Sequence, residues 1–148
     1  MSTAAAPMPA SSAAVRSDPA AQAYLLMRIV FCLAPIVFGL DKFAGVLTDD
    51  WTRYLAPEFN DIIPGSAATA VHIVGVVEIV AGLVVLATPR WGSLLVAGWL
   101  AGIILNLLLV GGYGDIALRD FGLLLGALSL SRIATASYGD RSPDRARL

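Results

Sequence analysis

Four long apolar runs alternate with short polar segments along the 148-residue chain. A membrane-spanning helix needs about 20 mostly apolar residues to cross about 30 Å of hydrocarbon, and each run is close to that length. The segments between the runs are rich in proline, glycine and acidic residues, which end helices and form turns. The pattern therefore predicts four spans, at about residues 23–43, 67–87, 91–110 and 116–133.

Local signals mark where these helices begin. Asp18-Pro19 and Thr88-Pro89 are each typical of an N-cap residue followed by proline in the first turn. Ser66 and Asp115 are the predicted caps of the second and fourth spans. Because Thr88-Pro89 leaves only a very short turn, the second and third spans are expected to be antiparallel neighbours.

Composition supports a membrane protein. The chain is 57% hydrophobic and 14% charged, whereas soluble domains are about 45–50% apolar and about 25% charged. We expect an all-α fold, an antiparallel up-down bundle of four membrane helices at residues 19–134. A disordered Ala/Ser/Pro-rich tail is predicted at residues 1–18 and a C-terminal tail at 135–148.

Several classes of protein are excluded by counting residues. Ten Lys and Arg against eleven Asp and Glu leave no basic surface for nucleic acid. A single cysteine, Cys32, and a single histidine, His72, exclude a disulfide scaffold, a structural zinc site and a bis-His haem or iron–sulfur cluster held by this chain alone. We predict no metal, no cofactor and no catalytic residue, and an autonomous enzyme is the least favoured class.

The distribution of basic residues predicts the orientation, because cytoplasmic loops carry an excess of Lys and Arg. If both termini are cytoplasmic, the other side holds only Lys42 and Arg53, with Arg119 just inside the fourth span. We therefore predict a multi-pass protein of the inner (plasma) membrane with both termini in the cytoplasm. The basic residues on the predicted cytoplasmic side are Arg16, Arg90, Arg132, Arg141, Arg145 and Arg147.

The long loop at residues 44–66 carries Trp51, Tyr54 and Phe59 among acidic residues. Aromatic side chains often lie at the level of the lipid headgroups, so one interpretation is a segment that lies on the membrane surface. The other interpretation is a lid over a cavity that opens outward.

Polar side chains within the spans are the candidates for a functional site. A charge exposed to hydrocarbon at the centre of the membrane costs about 2.5–3.5 kcal/mol, so such side chains usually face the interior of the bundle. Most lie in the outer half, and Glu78 is about 14–16 Å below the outer end of its span. We expect an outward-opening polar pocket in which Glu78 pairs with Arg119; the alternative is that these residues only fix the helix register. The candidates are Glu78, Arg119, Asp120, Asn106, Asp41 and Lys42, with Arg28 and His72 nearer the edges.

Glycines at a spacing of four occur in the third and fourth spans. Gly98 with Gly102, and Gly122 with Gly126, are predicted to pack these two spans against each other, because small residues let helix backbones approach. A surface for a second copy or a partner is the alternative. Gly75 and Gly82 lie seven residues apart in the second span, on one face, which favours the same packing role.

Three stretches together resemble the DoxX/DoxD-like family of small membrane proteins: Arg28-Ile-Val-Phe followed by Gly39-Leu-Asp-Lys-Phe, then Glu78-Ile-Val-Ala-Gly, then Arg119-Asp-Phe-Gly-Leu-Leu-Leu-Gly-Ala. The resemblance implies a four-helix membrane protein with no obligatory cofactor. It also implies that Arg28, Lys42, Glu78, Arg119 and Asp120 are the polar positions of interest.

Relatives in that family are linked to oxidoreductases: a subunit of a thiosulfate:quinone oxidoreductase, a methylamine-utilisation accessory protein and a component of an oxidative-stress complex. The resemblance thus implies an accessory or anchoring subunit of a membrane redox complex, with a redox partner or a quinone near its polar site. Because the chain has one cysteine, a dithiol relay is not expected. The alternatives are a small homo-oligomeric transporter or proton-coupled carrier that uses Glu78 and Arg119, and a membrane scaffold without chemistry.

Overall fold

The structure is a computed structural model that describes residues 18–63 and 65–138. Over these residues the chain is all-helical and contains no strand, which confirms the predicted all-α class. Four of the described helices are long, and two short ones lie in the loop that was singled out for its aromatic residues. In chain order they are α1 (Pro19–Ala44), a 3-10 helix (Trp51–Tyr54), α2 (Pro57–Ile62), α3 (Ala67–Ala87), α4 (Pro89–Val110) and α5 (Gly114–Tyr138).

Three helices in the described part of the chain, α1, α3 and α4, are long and apolar enough to cross a membrane. The helix α5 is 25 residues long but contains Asp115, Arg119, Asp120 and Arg132, and it is not among these candidates. The helix α3 coincides with its predicted apolar run, whereas α1, α4 and α5 extend theirs by a few residues at one or both ends, because the first and last turns add residues outside the apolar run.

Three of the four predicted N-cap positions are confirmed, two of them with a side-chain hydrogen bond. The Ala20 backbone N–H donates to Asp18 Oδ1 at 3.0 Å, and the Thr69 N–H donates to Ser66 Oγ at 3.2 Å. Thr88 is the N-cap residue of α4, but its hydroxyl donates back to the Val84 carbonyl at 3.1 Å and accepts no backbone N–H of α4. Asp115 lies in the first turn of α5, which begins at Gly114, so it is not the cap residue. Its carboxylate interacts favourably with the helix dipole at this end.

The helix α5 continues to Tyr138. The predicted start of the C-terminal tail at residue 135 was therefore too early, because residues 134–138 contain no glycine or proline that would end a helix. Residues 1–17 and 139–148, which hold most of both predicted tails, lie outside the described residues. So do Arg16, Arg141, Arg145 and Arg147.

The long helices pack most extensively as two pairs, α1 with α3 and α4 with α5, and α3 also packs on α4. An apolar core fills the half of the structure that contains the beginning of α1 and the end of α5, where Val85 and Leu130 are fully buried. The other half contains the buried acidic residues and the aromatic loop. The rest of the core cluster consists of Tyr24, Phe31, Cys32, Ala81, Val96, Ala97, Ala127 and Ala134.

Glycines bring α1 and α3 into backbone contact. A Cβ atom on Gly39 would lie 2.5 Å from the Gly75 carbonyl oxygen, and one on Gly82 would lie 2.6 Å from the Cys32 carbonyl oxygen. The packing role predicted for Gly75 and Gly82 is confirmed. Gly92 makes a similarly close approach between the start of α4 and the Val85 backbone.

The packing role predicted for the glycines spaced by four was wrong for three of them. A Cβ atom on Gly98, Gly102 or Gly122 would meet no heavy atom within 4 Å, so these glycines lie on outward surfaces of α4 and α5. Gly126 faces inward, but its neighbour is the Phe31 ring of α1. Spacing alone places two glycines on one helix face without fixing which face meets another helix.

Candidate functional site

A buried ion pair joins α1 to α3. Lys42 Nζ donates a hydrogen bond to Glu78 Oε2 at 2.6 Å, and the two side chains are only 7% and 9% exposed. The predicted partner of Glu78, Arg119, is 66% exposed and lies 3.5 Å from the neighbouring carboxylate of Asp120. The predicted Glu78–Arg119 pair was therefore wrong, because Arg119 is on the outward surface of α5.

The close approach of α1 and α3 explains how Lys42 reaches Glu78. A Cβ atom on Gly75 would lie 3.2 Å from Lys42 Cβ, so the missing side chain of Gly75 makes room for the stem of Lys42. Side chains of a helix tilt toward its N-terminus. Because α1 and α3 are antiparallel, this tilt carries the ammonium group of Lys42 along α3 from Gly75 to Glu78, about one turn away.

Trp51 covers the pair. Lys42 Nζ lies 4.0 Å from the centroid of the Trp51 ring, a cation–π contact, and the ring also packs edge-on against Phe38 with centroids 6.3 Å apart. The indole Nε1–H of Trp51 donates to Asp41 Oδ2 at 2.9 Å. Two adjacent residues of α1, Asp41 and Lys42, thus hold the same aromatic side chain.

Asp41 organises the exit of the chain from α1. Besides Trp51, its carboxylate accepts the backbone N–H groups of Val46 at 2.9 Å and Leu47 at 2.7 Å. Gly45 ends the helix in the left-handed conformation, at φ 63°, which lets the chain turn back over α1. The buried carboxylate therefore has three donors and fixes the start of the loop.

Asn106 attaches the other side of the loop to α4. Its Oδ1 accepts the Ala56 backbone N–H at 2.8 Å, and its Nδ2 donates to the Tyr54 carbonyl oxygen. The Tyr54 ring packs against Tyr113, with centroids 5.0 Å apart. Trp51 thus contacts α1, and the Tyr54 backbone contacts α4, so the segment at residues 48–56 forms a cover over the Lys42–Glu78 pair. Ile62, in α2, remains exposed.

Two further polar groups face the site from α4 and α5. Asp120 is buried, as is the indole Nε1 of Trp99, which faces Glu78. The polar cluster therefore takes side chains from all four long helices and from the loop.

An open cavity of about 250 Å³ lies beside Lys42. Trp51 and His72 form part of its wall, and the His72 ring is exposed and stacks on Phe43 with centroids 4.8 Å apart. His72 therefore lines the cavity rim and does not contact Glu78. The pKa of the Asp50 carboxyl, also at the rim, lies below its ordinary value because the Thr52 hydroxyl and backbone amide donate hydrogen bonds to it.

A model of the DoxX family matches residues 23–110. The chain belongs to the DoxX family. The matched residues include the ion pair, its cover and Asn106, whereas Arg119 and Asp120 lie beyond the match. Comparison with curated proteins and with solved structures gave no match. This DoxX protein, with its apolar helices, is a multi-pass membrane protein.

Arg28 of the DoxX protein is separate from the polar cluster. Its Nη2 donates to the Leu86 carbonyl oxygen at 2.6 Å, in the last turn of α3. A cation at this end of a helix interacts favourably with the helix dipole. This contact joins α1 and α3 at the end opposite to Lys42. Arg28 therefore has a structural contact and no place in the candidate site.

Sequence reasoning missed Trp51 and Trp99 as parts of the site. Trp51 was assigned to the loop without a partner, and Trp99 was one apolar residue among many in its span. Asp41 could have indicated the position of Trp51. A carboxylate near the end of an apolar span needs hydrogen-bond donors, and the following loop is the nearest source of them.

Proposed function

We propose that this DoxX protein is an accessory or anchoring subunit of a membrane oxidoreductase or stress-response complex, and that the Lys42–Glu78 pair is its functional site. The observation that carries the proposal is the burial of this pair beneath Trp51 and beside a cavity. Burying two charges costs several kcal/mol per ion, and their attraction often fails to repay that cost. An ion pair kept in an apolar protein is therefore a better candidate for function than for stability.

The proposal includes a role for Lys42 in contact with a quinone or another small redox molecule of the partner. An ammonium group donates strong hydrogen bonds to oxygen atoms and stabilises negative charge that develops on them during reduction. Lys42 lies at the wall of the cavity, and Glu78 holds it there. The pair would then position a donor for an oxygen atom of the bound molecule, while the partner subunit supplies the redox group.

We also propose that α5 is a fourth span and that both termini are cytoplasmic, which places the polar site in the outer half of the membrane. At 1.5 Å per residue, the 25 residues of α5 extend about 37 Å. Its surface carries the exposed side chains of Leu118, Phe121 and Leu125. The excess of Lys and Arg outside the 44–66 loop supports the orientation.

Cysteine labelling tests this topology. In a Cys32→Ser background, Arg53→Cys should react with a membrane-impermeant maleimide in intact cells, and Arg132→Cys should react only after the cells are permeabilised. Labelling of both sites from the same side would contradict four spans with this orientation.

The functional proposal is tested by purification from native membranes. The tagged protein, extracted in mild detergent, should bring down a partner with the absorbance spectrum of a flavin, a haem or a metal centre. Glu78→Gln should lower the redox activity of the recovered complex, whereas Arg119→Gln, the matched change of an exposed residue, should leave that activity unchanged. Recovery of the chain alone in several mild detergents would contradict the proposal.

A small homo-oligomeric transporter or proton-coupled carrier is the second candidate. It is favoured by the position of Glu78 in the middle of α3, connected through Lys42 to a cavity and accompanied by the buried Asp120. Carriers place ionisable groups along the path of their ions. Purified protein in vesicles should then show a solute or proton flux that Glu78→Gln abolishes, and the absence of such a flux removes this candidate.

A further inference from the structure

The cover over the ion pair is attached to two different helix pairs. We call residues 48–56 the strap. Asp41 on α1 holds it through Trp51, and Asn106 on α4 holds it through the Tyr54 carbonyl oxygen and the Ala56 N–H. Because α1 packs chiefly on α3 and α4 chiefly on α5, the strap bridges the two pairs.

The strap has little apolar contact of its own. Its 3-10 helix, Trp51–Tyr54, contains no fully buried residue, and Ala56 is the one buried apolar residue in the strap. Its position is fixed by a few hydrogen bonds and by ring contacts of Trp51 and Tyr54. A segment held in this way opens at a lower free energy than the helices beneath it.

The ends of the strap are suited to movement as a unit. Gly45 lies shortly before it in the left-handed conformation, which other residues adopt at a cost, and Pro57 directly after it begins α2. Rotation about the chain after Leu47, with loss of the hydrogen bond from Trp51 to Asp41, would lift Trp51 from Lys42 without unwinding α1 or α2. Hinges of this kind occur at the ends of helices.

We propose that the strap is a gate that controls access from the loop side of the protein to the Lys42–Glu78 pair, and that Asn106 is its latch. When the two Asn106 hydrogen bonds and the hydrogen bond from Trp51 to Asp41 break, Tyr54 and Ala56 leave α4 and Trp51 moves off Lys42. The pair can then contact a molecule bound in the cavity beside Lys42. The inference rests on the proposed function only in that it takes this pair as the functional site.

The chain offers a direct probe of the gate, because Lys42 is its only lysine. A water-soluble amine-acylating reagent can therefore modify Lys42 and the N-terminal amine alone, and peptide mass mapping separates the two products. The closed strap should make acylation of Lys42 slow in the wild-type protein. The purified full chain in detergent is incubated with the reagent at one pH, and the rate at Lys42 is measured.

Asn106→Ala should raise the acylation rate at Lys42 about tenfold or more, because it removes both hydrogen bonds of the latch. Trp51→Ala, which removes the cover itself, should raise it at least as much. Asn106→Asp keeps the acceptor for the Ala56 N–H and loses the donor to Tyr54, so its rate should be intermediate. Glu58→Gln, an exposed change on the adjacent α2, should leave the rate unchanged.

Size-exclusion profiles and helical circular dichroism establish that each variant is folded. If Asn106→Ala does not fold, Asn106→Asp and Trp51→Ala decide the result. Folded variants that acylate no faster than Glu58→Gln would overturn the gate. This outcome is separate from failure of the proposed function, because acylation reports access to Lys42 whether or not a redox partner is recovered.

Discussion

Gly39 and Gly75 face each other so closely that a Cβ atom on Gly75 would lie 2.8 Å from the Gly39 carbonyl oxygen. Lys42 follows Gly39 by three residues, and Glu78 follows Gly75 by three. The two glycines therefore set the distance between α1 and α3 at the level where the ion pair forms. A wider spacing of the helices would place Glu78 beyond the reach of Lys42.

Gly75→Ala should destabilise the protein by about 1–3 kcal/mol, because the added methyl group has no space and the helices must separate. Gly102→Ala is the matched control, since a Cβ atom there meets no heavy atom within 4 Å. It should be neutral or stabilising by up to about 1 kcal/mol through its helix propensity. Thermal unfolding in detergent measures both, and equal effects would contradict the close approach of α1 and α3.

Asp41→Asn should loosen the loop after α1. The amide keeps one acceptor oxygen where the carboxylate accepts three N–H groups, and a hydrogen bond to a charged group is worth about 1.5–3 kcal/mol. Arg53 is the exposed trypsin site in this loop. Cleavage after Arg53 should become about tenfold faster, while Asp61→Asn on α2 should not change it. An unchanged rate in Asp41→Asn would show that Asp41 does not hold the loop.

Arg119→Gln should change the free energy of unfolding by less than about 0.5 kcal/mol, because Arg119 is exposed and its contact with Asp120 is at a distance of 3.5 Å. The same measurement on Glu78→Gln should show a much larger loss. A large loss in Arg119→Gln would restore the pairing of Arg119 with Glu78 that the sequence predicted.

The helices were predictable because long apolar runs and capping residues are local signals. The run at residues 67–87 coincides with α3, and Ser66 caps it as its position before the run predicts. The C-terminal end of α5 was missed because no apolar run marks residues 134–138. Length and hydropathy alone do not establish α5 as a span, since charged residues occur along it.

Most of the polar residues in the cluster were predictable, whereas their partners were not, and the predicted Arg119 lies on the outward surface of α5. Helical rise placed Glu78 and Asp120 in the same half of the protein, but pairing depends on which helix faces which and on the reach of each side chain. Lys42 lies at the end of its helix, and only its tilt toward the N-terminus of α1 and the space at Gly75 bring it to Glu78. The role of Trp51 depends on the path of a loop, which periodicity does not describe.

The most direct measurement is a double-mutant cycle on the ion pair, with Lys42→Met, Glu78→Gln and both changes together, followed by reversible unfolding in detergent. Lys42→Met alone leaves a buried carboxylate without its partner and should cost about 3–5 kcal/mol. The loss of stability in the double variant should be smaller than the sum of the two single losses, by about 1–3 kcal/mol, because neither charge remains unpaired. Additive losses, within about 0.5 kcal/mol, would contradict a buried Lys42–Glu78 pair.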